Sequence, residues 1–362
     1  MKIKNIFFAA ILVFAGFSCS MEDDTIMNDV EKGIEEATEA YTVLDFGVAF
    51  NEMATKASTT VVPGEDRPAT GDENNDEKKI SEVSVFLLED GKVIGILKSQ
   101  NMNQVSSNSD GSITLKDLKF VTKYKTNRTL DAHVVINGNQ FLKNINIGDA
   151  QSALNQQISG CLSADQLIKY GSTSIVFGKD ITNSYPSPSV AENNPTTILV
   201  KVSHVAARLD FSQFDVTLEG IGGNPTVVFD EAKFVNLQQN GKIVEGDASV
   251  NVKDGAFLNR SNRIGTGWTD MGTAYGYANQ YKQDSEMNTA LYVKFTVDGR
   301  TFEKTYPINP AGITKEVNHT GIKGGYLYDI KVHWTITPKW GDSTIEFYTR
   351  DWVHNTIPEV VL

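Results

Sequence analysis

The sequence predicts a mostly β chain: two β-sandwich domains in series, with one small helical insertion in the first. Three observations lead there. Short segments with apolar residues at every second position recur from Tyr41 to Val353, the period of strands buried on one face. Turns rich in Gly, Asn and Asp separate them. A stretch with linker composition, Ser184 to Pro195 with Pro186, Pro188 and Asn193-Asn194-Pro195, divides the segments into two sets. The expected division is therefore 41–192 and 193–362, and 362 residues are enough for two domains. Two cysteines, Cys19 and Cys161, give no internal disulfide framework, so stability must come from buried apolar surface.

The first eighteen residues read as an export signal. Lys2 and Lys4 form a basic start, and Ile6 to Phe14 is an apolar run too short to span a bilayer. Ala15, Gly16 and Ser18 supply small residues ahead of Cys19. This pattern resembles a bacterial lipoprotein signal, which implies lipid attachment at Cys19 and an outer-membrane lipoprotein precursor. An ordinary signal peptide with an incidental Cys19 fits the same residues; either one takes the chain out of the cytoplasm. Residues 19–40 are acidic and poor in large apolar side chains, the composition of a flexible tether. Within them Ser20-Met21-Glu22-Asp23-Asp24 resembles a surface-export signal of Bacteroidota lipoproteins.

Tyr41 to Phe50 is the first strand, with Leu44, Phe46, Val48 and Phe50 on one face. A long polar loop, 51–79, follows; loops of this length are functional or disordered, and Lys56, Arg67, Lys78 and Lys79 make it an exposed protease target. Ile80 to Leu88 and Val93 to Leu97 flank Glu89-Asp90-Gly91-Lys92, a hairpin signature. Ile113 to Leu118 and Thr129 to Ile136 are strands, the second ending at Asn137-Gly138. Gln140 to Tyr170 is the expected helical region, and Cys161 within it is expected as a small core residue. In the second set, Thr197 to Phe211 is expected as one long strand. Thr226 to Asp230, Ala232 to Leu237, Leu291 to Val297, Thr301 to Tyr306, Tyr326 to Ile336 and Thr344 to Val353 follow. Gly255 to Gln283, rich in Gly, Asn and aromatics, is expected as an irregular loop.

The residues argue against catalysis. The five histidines show no paired ligand spacing, there is no GxSxG elbow, and Cys161 has no catalytic signature around it. Gly220-Ile221-Gly222-Gly223 lacks a following helix and reads as a turn. Asp72 to Glu77 lacks the spacing of a calcium loop and reads as solvated. No cofactor or metal is predicted. A net charge of −12 argues against nucleic-acid binding and against adhesion to anionic lipid.

Taken in order, several segments resemble the fimbrillins, the fimbrial subunits (type V pilins) of Bacteroidales. Lys79-Ile80-Ser81-Glu82-Val83-Ser84-Val85-Phe86 is similar to the family's opening strand. Leu130-Asp131-Ala132-His133-Val134-Val135-Ile136-Asn137 is similar to its strand ending in Asn. Val202-Ser203-His204-Val205-Ala206-Ala207-Arg208-Leu209 resembles the strand that opens the second domain. Gly325 to Val332 resembles the penultimate block, and Trp352 lies where the family carries a terminal Trp.

The resemblance implies two transthyretin-like or immunoglobulin-like sandwiches and a cell-surface fimbria used for adhesion. It implies a trypsin-like surface protease that cuts after Arg67, with Lys56 as the alternative because Pro68 makes the Arg67 bond a poor substrate. The displaced first strand would carry Leu44, Phe46, Val48 and Phe50, together about 6–12 kcal/mol of burial at about 1.5–3 kcal/mol each. The donor would be the last strand of another subunit, about 345–362, with Val353, Ile357, Val360 and Leu362 as pocket fillers. Implied partners are further copies of the chain, other fimbrial subunits, that protease, and ligands on host or bacterial surfaces. The same resemblance allows an anchor or tip subunit that is never cut. A second reading stays open: a lipid-anchored glycan- or protein-binding lipoprotein, with Trp268, Tyr275, Tyr277 and Tyr281 as its contact surface.

Overall fold

The computed structural model describes residues 39–50, 75–100, 106–107, 113–244, 248–256, 263–279, 286–308, 321–338 and 341–351. The chain is mostly β, as its alternation predicts. Among the described residues nine strands make the first half: β1 (Tyr41–Phe50), β2 (Glu82–Glu89), β3 (Lys92–Gln100), β4 (Ser106–Ser107), β5 (Ile113–Lys123), β6 (Thr129–Ile136), β7 (Gln157–Ser159), β8 (Lys169–Val176) and β9 (Thr196–His204). Eight of them pair in the order β3-β2-β6-β8-β9-β1-β5-β4. β8 and β9 meet only at Lys169/His204 and Tyr170/Ser203, and there the sheet folds into two layers. Val83, Val85, Leu87, Leu130, Ala132 and Val134 from one layer close on Leu44, Phe46, Val48, Val200 and Val202 from the other. The predicted hairpin is present. Asp90 and Gly91 take φ of 49° and 72°, the left-handed pair a two-residue turn needs between twisted strands.

Ten strands among the described residues make the second half: β10 (Ala207–Leu218), β11 (Val227–Gln238), β12 (Asn240–Lys242), β13 (Val252–Ala256), β14 (Arg263–Ile264), β15 (Gly267–Gly276), β16 (Ala290–Val297), β17 (Arg300–Pro307), β18 (Tyr326–Ile336) and β19 (Gly341–Asp351). One sheet runs β15-β10-β18-β19 and the facing one β13-β11-β16-β17, with β14 also on β11. Between them Phe214 sits 5.3 Å from both Phe229 and Trp268, and Phe295 sits 5.0 Å from Trp334. These are the offset and edge-on contacts that aromatic rings prefer.

The two sandwiches repeat one topology. β1 pairs antiparallel with β5 and parallel with β9; β10 pairs antiparallel with β15 and parallel with β18. In the facing layers β3-β2-β6-β8 corresponds to β13-β11-β16-β17. Even the irregularity recurs, a register shift between Asp45 and Gly47 in β1 and between Phe211 and Gln213 in β10. β19 is the addition. It pairs with the outer edge of β18, a place that no strand fills beside most of β9 among the described residues.

Five expectations need correction. Thr196–His204, expected to open the second sandwich, completes the first: the backbone breaks at Val205 and Ala206, so the expected long strand from Thr197 is β9 followed by β10. The region 140–170 holds three 3-10 turns and β7 instead of a longer helix. Gly148 and Gly160 there take positive φ, which interrupts helical geometry. Its apolar residues, among them Leu142, Leu154, Ile158 and Leu167, cover Phe86 and Leu88 on the outside of β2. The one α-helix among the described residues, α1 (Pro188–Glu192), lies in the expected linker, with Ser187 as N-cap and Pro188 in its first turn. Finally, the expected loop from Gly255 contains the end of β13 with β14 and β15. Strands expected as Thr226–Asp230 and Ala232–Leu237 are one, β11, shifted in register between Phe229 and Glu231.

Candidate functional site

β1 is a central strand, not an edge. Leu44 to Phe50 lie opposite Thr196 to Val202 of β9, while Tyr41 to Asp45 lie opposite Lys119 to Lys123 of β5. Leu44, Phe46 and Val48 are fully buried and point into the first core. Phe50 closes the strand opposite Val202. Val43, on the other face, and Thr42 are also fully buried. Taking β1 away would therefore open a slot lined on both sides by unpaired strands and floored by apolar side chains.

The entry to β1 is held lightly. Tyr41 and Tyr185 exchange two backbone hydrogen bonds of 2.8 Å, and the Tyr124 N–H donates to the Ala40 carbonyl at 2.7 Å. The Glu39 carboxylate takes hydrogen bonds from Lys123 and from the Tyr41 hydroxyl, which hold it below the usual carboxylate range. These groups are exposed, and such pairs contribute little to stability.

Past residue 74 the chain is pinned firmly. Asn75–Lys78 forms a 3-10 turn, and Glu77, expected to be solvated, is fully buried. Arg208 Nη1 donates to its carboxylate at 3.0 Å, and the Tyr275 hydroxyl donates to its other oxygen. Arg208 Nε also donates to Asp210 at 2.9 Å, and Thr273 donates to that same oxygen at 2.8 Å. Burial works against the Arg208 charge, but Asp210 and Glu77 hold its pKa above the ordinary value. Burial, then Glu77, pushes the Tyr275 hydroxyl up, so it stays a donor. Two residues on, the Lys79 carbonyl accepts from Asn137 Nδ2 at 2.9 Å and from Lys169 Nζ at 3.2 Å. Asn137 Oδ1 in turn accepts the Ser81 N–H at 2.8 Å. Lys169 is fully buried, and its desolvation pushes it down to about 8. Glu77 thus ties the end of the long loop to β10 and β15 of the second sandwich. Sequence reasoning missed this, since Glu77 sits in an acidic run and Arg208 is 131 residues away.

Other expected residues fall as follows. Cys19, Lys56 and Arg67 lie outside the described residues, as do Val353, Ile357, Val360 and Leu362. The chain reaches them from β19, whose backbone lies along β18 from Ile336/Gly341 to Tyr326/Asp351. Cys161 is half-buried at φ 55°, and accepts a 3.1 Å hydrogen bond from Gln140 Nε2. The proposed aromatic contact surface is corrected. Trp268 is 6% exposed in the second core, and Tyr277 is 1% exposed with its hydroxyl donating to the Gly160 carbonyl. Tyr281 lies outside the described residues.

No protein-family model matches the chain, and no curated protein matches it. Solved structures do. A candidate cell-adhesion protein of Parabacteroides distasonis superposes with a TM-score of 0.52 at 16% identity, over 86% of this chain and 98% of that one. A second from the same organism gives 0.51 at 13% identity, over 87% and 99%. A fimbrilin of Porphyromonas gingivalis gives 0.48 at 14% identity, over 88% and 99%. At such identities the shared property is the fold, and the chain has the fold of the two Parabacteroides proteins along nearly their whole length.

Proposed function

We propose that this chain is a fimbrillin-type structural subunit of a cell-surface fimbria. In this reading it is exported as a lipoprotein through Cys19 and cut in the loop 51–79, at Arg67 or Lys56. It then loses β1 and takes the tail of another subunit into the vacated slot. The observation that carries the proposal is the placing of β1. It is a central strand whose Leu44, Phe46 and Val48 are fully buried, yet the sequence that follows it is long and polar, and its entry is held by a few exposed contacts. Leu44, Phe46 and Val48 alone represent about 4.5–9 kcal/mol of burial, at about 1.5–3 kcal/mol each. An empty slot of that size favours a replacement strand, and strand addition is an established mode of recognition. The ordered sequence resemblance to fimbrillins and the fold shared with two cell-adhesion candidates support the same reading.

The test is deletion of Asn355 to Leu362 in the expressed precursor, followed by protease treatment and electron microscopy. The expected result is loss of polymer with both sandwiches still folded. Fibres of normal length from the deleted chain would overturn the proposal. The rival, a lipoprotein binding its ligand through exposed aromatic rings, loses its basis with the burial of Trp268 and Tyr277.

A further inference from the structure

A cleft of about 1090 Å³ lies where the two sandwiches meet, between β8 and β9 on one side and β12 with residues 277–279 and 323–324 on the other. Its composition departs from that of the molecule. The whole chain carries a net charge of −12, yet Lys201, Lys242 and Lys323 all line this cleft, and no carboxylate does among the described residues. Among those residues none of the three ammonium groups has a carboxylate within ion-pair distance. Lys323 instead lies over the Tyr326 ring, 5.6 Å from its centre. Three lysines gathered in one recess without acidic partners create a positive potential, and concave walls concentrate it.

The neutral groups narrow the ligand. Gln238, Asn240 and Asn279 bring side-chain amides to the wall, and Ser172, Ser203 and Tyr170 bring hydroxyls. Asn279 Oδ1 is buried without a hydrogen-bond partner among the described residues, an acceptor that a hydroxyl-bearing ligand would satisfy. The strand edges that reach the cleft are only partly paired: Lys201 lies on a stretch of β9 that β8 does not reach. β9 pairs with β8 at Ser203 and His204, and β12 pairs with β7. An extended acidic peptide would draw on the backbone edge of β9, whereas a sugar draws on the amide and hydroxyl side chains that make up the polar wall. We infer that this cleft is a binding site for a short acidic oligosaccharide, its carboxylate or sulfate groups held by Lys201, Lys242 and Lys323. Its volume suits a small ligand, for which pockets of about 300–1,000 Å³ are usual. The inference stands on the cleft alone and does not depend on polymerisation.

The experiment is titration calorimetry on the full chain at low salt with four probes: trigalacturonate, a heparin tetrasaccharide, maltotriose and pentaglutamate. Binding of either or both acidic sugars, weakened about tenfold in the Lys242→Ala/Lys323→Ala double variant, is the expected result, in line with the loss of two partly exposed ion pairs. Trigalacturonate and the heparin fragment separate carboxylate from sulfate recognition. The thermal transition of the double variant should match that of the parent chain; if it does not, Lys201→Gln is titrated in its place. Equal binding of maltotriose, tighter binding of pentaglutamate, no binding of any probe, or acidic-sugar affinity unchanged in the folded variant would overturn the assignment.

Discussion

Phe46→Ala puts the slot to a quantitative test. Phe46 is fully buried on β1 and shares its core with strands from both layers of the first sandwich. Removing a buried phenyl ring costs about 3–5 kcal/mol, part transfer and part cavity. For a unit of this size that corresponds to a fall of roughly 6–20 °C in the melting temperature. The chain supplies two probes that separate the halves. All four tryptophans, Trp268, Trp334, Trp340 and Trp352, lie in the second half, and Trp268 and Trp334 are in the second core. Tryptophan fluorescence therefore reports the second sandwich, while far-ultraviolet circular dichroism reports both. The expected outcome is an early dichroism transition in the variant, with the fluorescence midpoint where it was. An unmoved dichroism transition would refute the burial argument for β1. Equal movement of both probes would instead show that the Glu77–Arg208 tie makes the two sandwiches one cooperative unit.

Two further substitutions probe the junction and the fold corner. Lys169 is charged and buried, with a folded pKa near 8 against an ordinary 10.5. Between those values the unfolded chain binds more protons, so parent stability should rise with pH across that window. Lys169→Met should gain roughly 3 kcal/mol at pH 7 and lose that advantage by about pH 10.5. The carbonyls of Lys79 and Leu167 keep Asn137 Nδ2 as donor at 2.9 and 3.2 Å, so the variant leaves neither unsatisfied; urea titrations at several pH values measure the difference. Gly171→Ala should be severe, because a Cβ there would stand 1.9 Å from the Lys201 carbonyl oxygen. A backbone contact cannot rotate aside, so a loss beyond the usual overpacking cost of about 1–3 kcal/mol is expected in the dichroism transition.

What the sequence made legible follows from burial on one face. β1 and β2 were readable because Leu44, Phe46 and Val48, and Val83, Val85 and Leu87, alternate and face one core. The β2–β3 turn was readable because Asp-Gly has one strongly preferred use between strands. The residues that failed share another cause: their partners are distant in sequence. Phe86 and Leu88 lie on the outward face of β2 and are covered by the 140–168 segment, so neither periodicity alone could mark that segment as a lid. Trp268 sits among glycines and polar residues that suggest a loop. It becomes a strand residue because β10 supplies its pairing, Phe214 opposite Trp268. Glu77 looked solvated because its neighbours are acidic; Arg208 and Tyr275 reach it from 131 and 198 residues away. Of the predicted strand-exchange residues, Leu44, Phe46 and Val48 lie buried in the first core, whereas the protease and donor positions lie outside the described residues.

The pinned junction also bears on who can fill the slot. If the chain were cut after Arg67, residues 68–74 would be all that could move, since Glu77, Lys79 and Ser81 are held by Arg208, Lys169 and Asn137. Seven extended residues span about 23 Å, whereas the ten positions of β1 span about 33 Å. Their composition is also wrong for the pockets: Pro68-Ala69-Thr70-Gly71-Asp72-Glu73-Asn74 has nothing to replace Leu44, Phe46 or Val48. A cut after Lys56 would leave enough length, but among residues 57–74 only Val61 and Val62 are sizeable aliphatic side chains, and Pro63 follows them. Being adjacent, they would point to opposite faces of a strand. The new N-terminus therefore cannot restore the core that β1 leaves. The second sandwich shows what this topology holds when the position is filled: β10, the counterpart of β1, brings Leu209, Phe211 and Phe214 to the core between β15 and β18. A strand with that pattern has to come from elsewhere, and a second copy of the chain, carrying Ile357, Val360 and Leu362 beyond β19, is the source this reading requires.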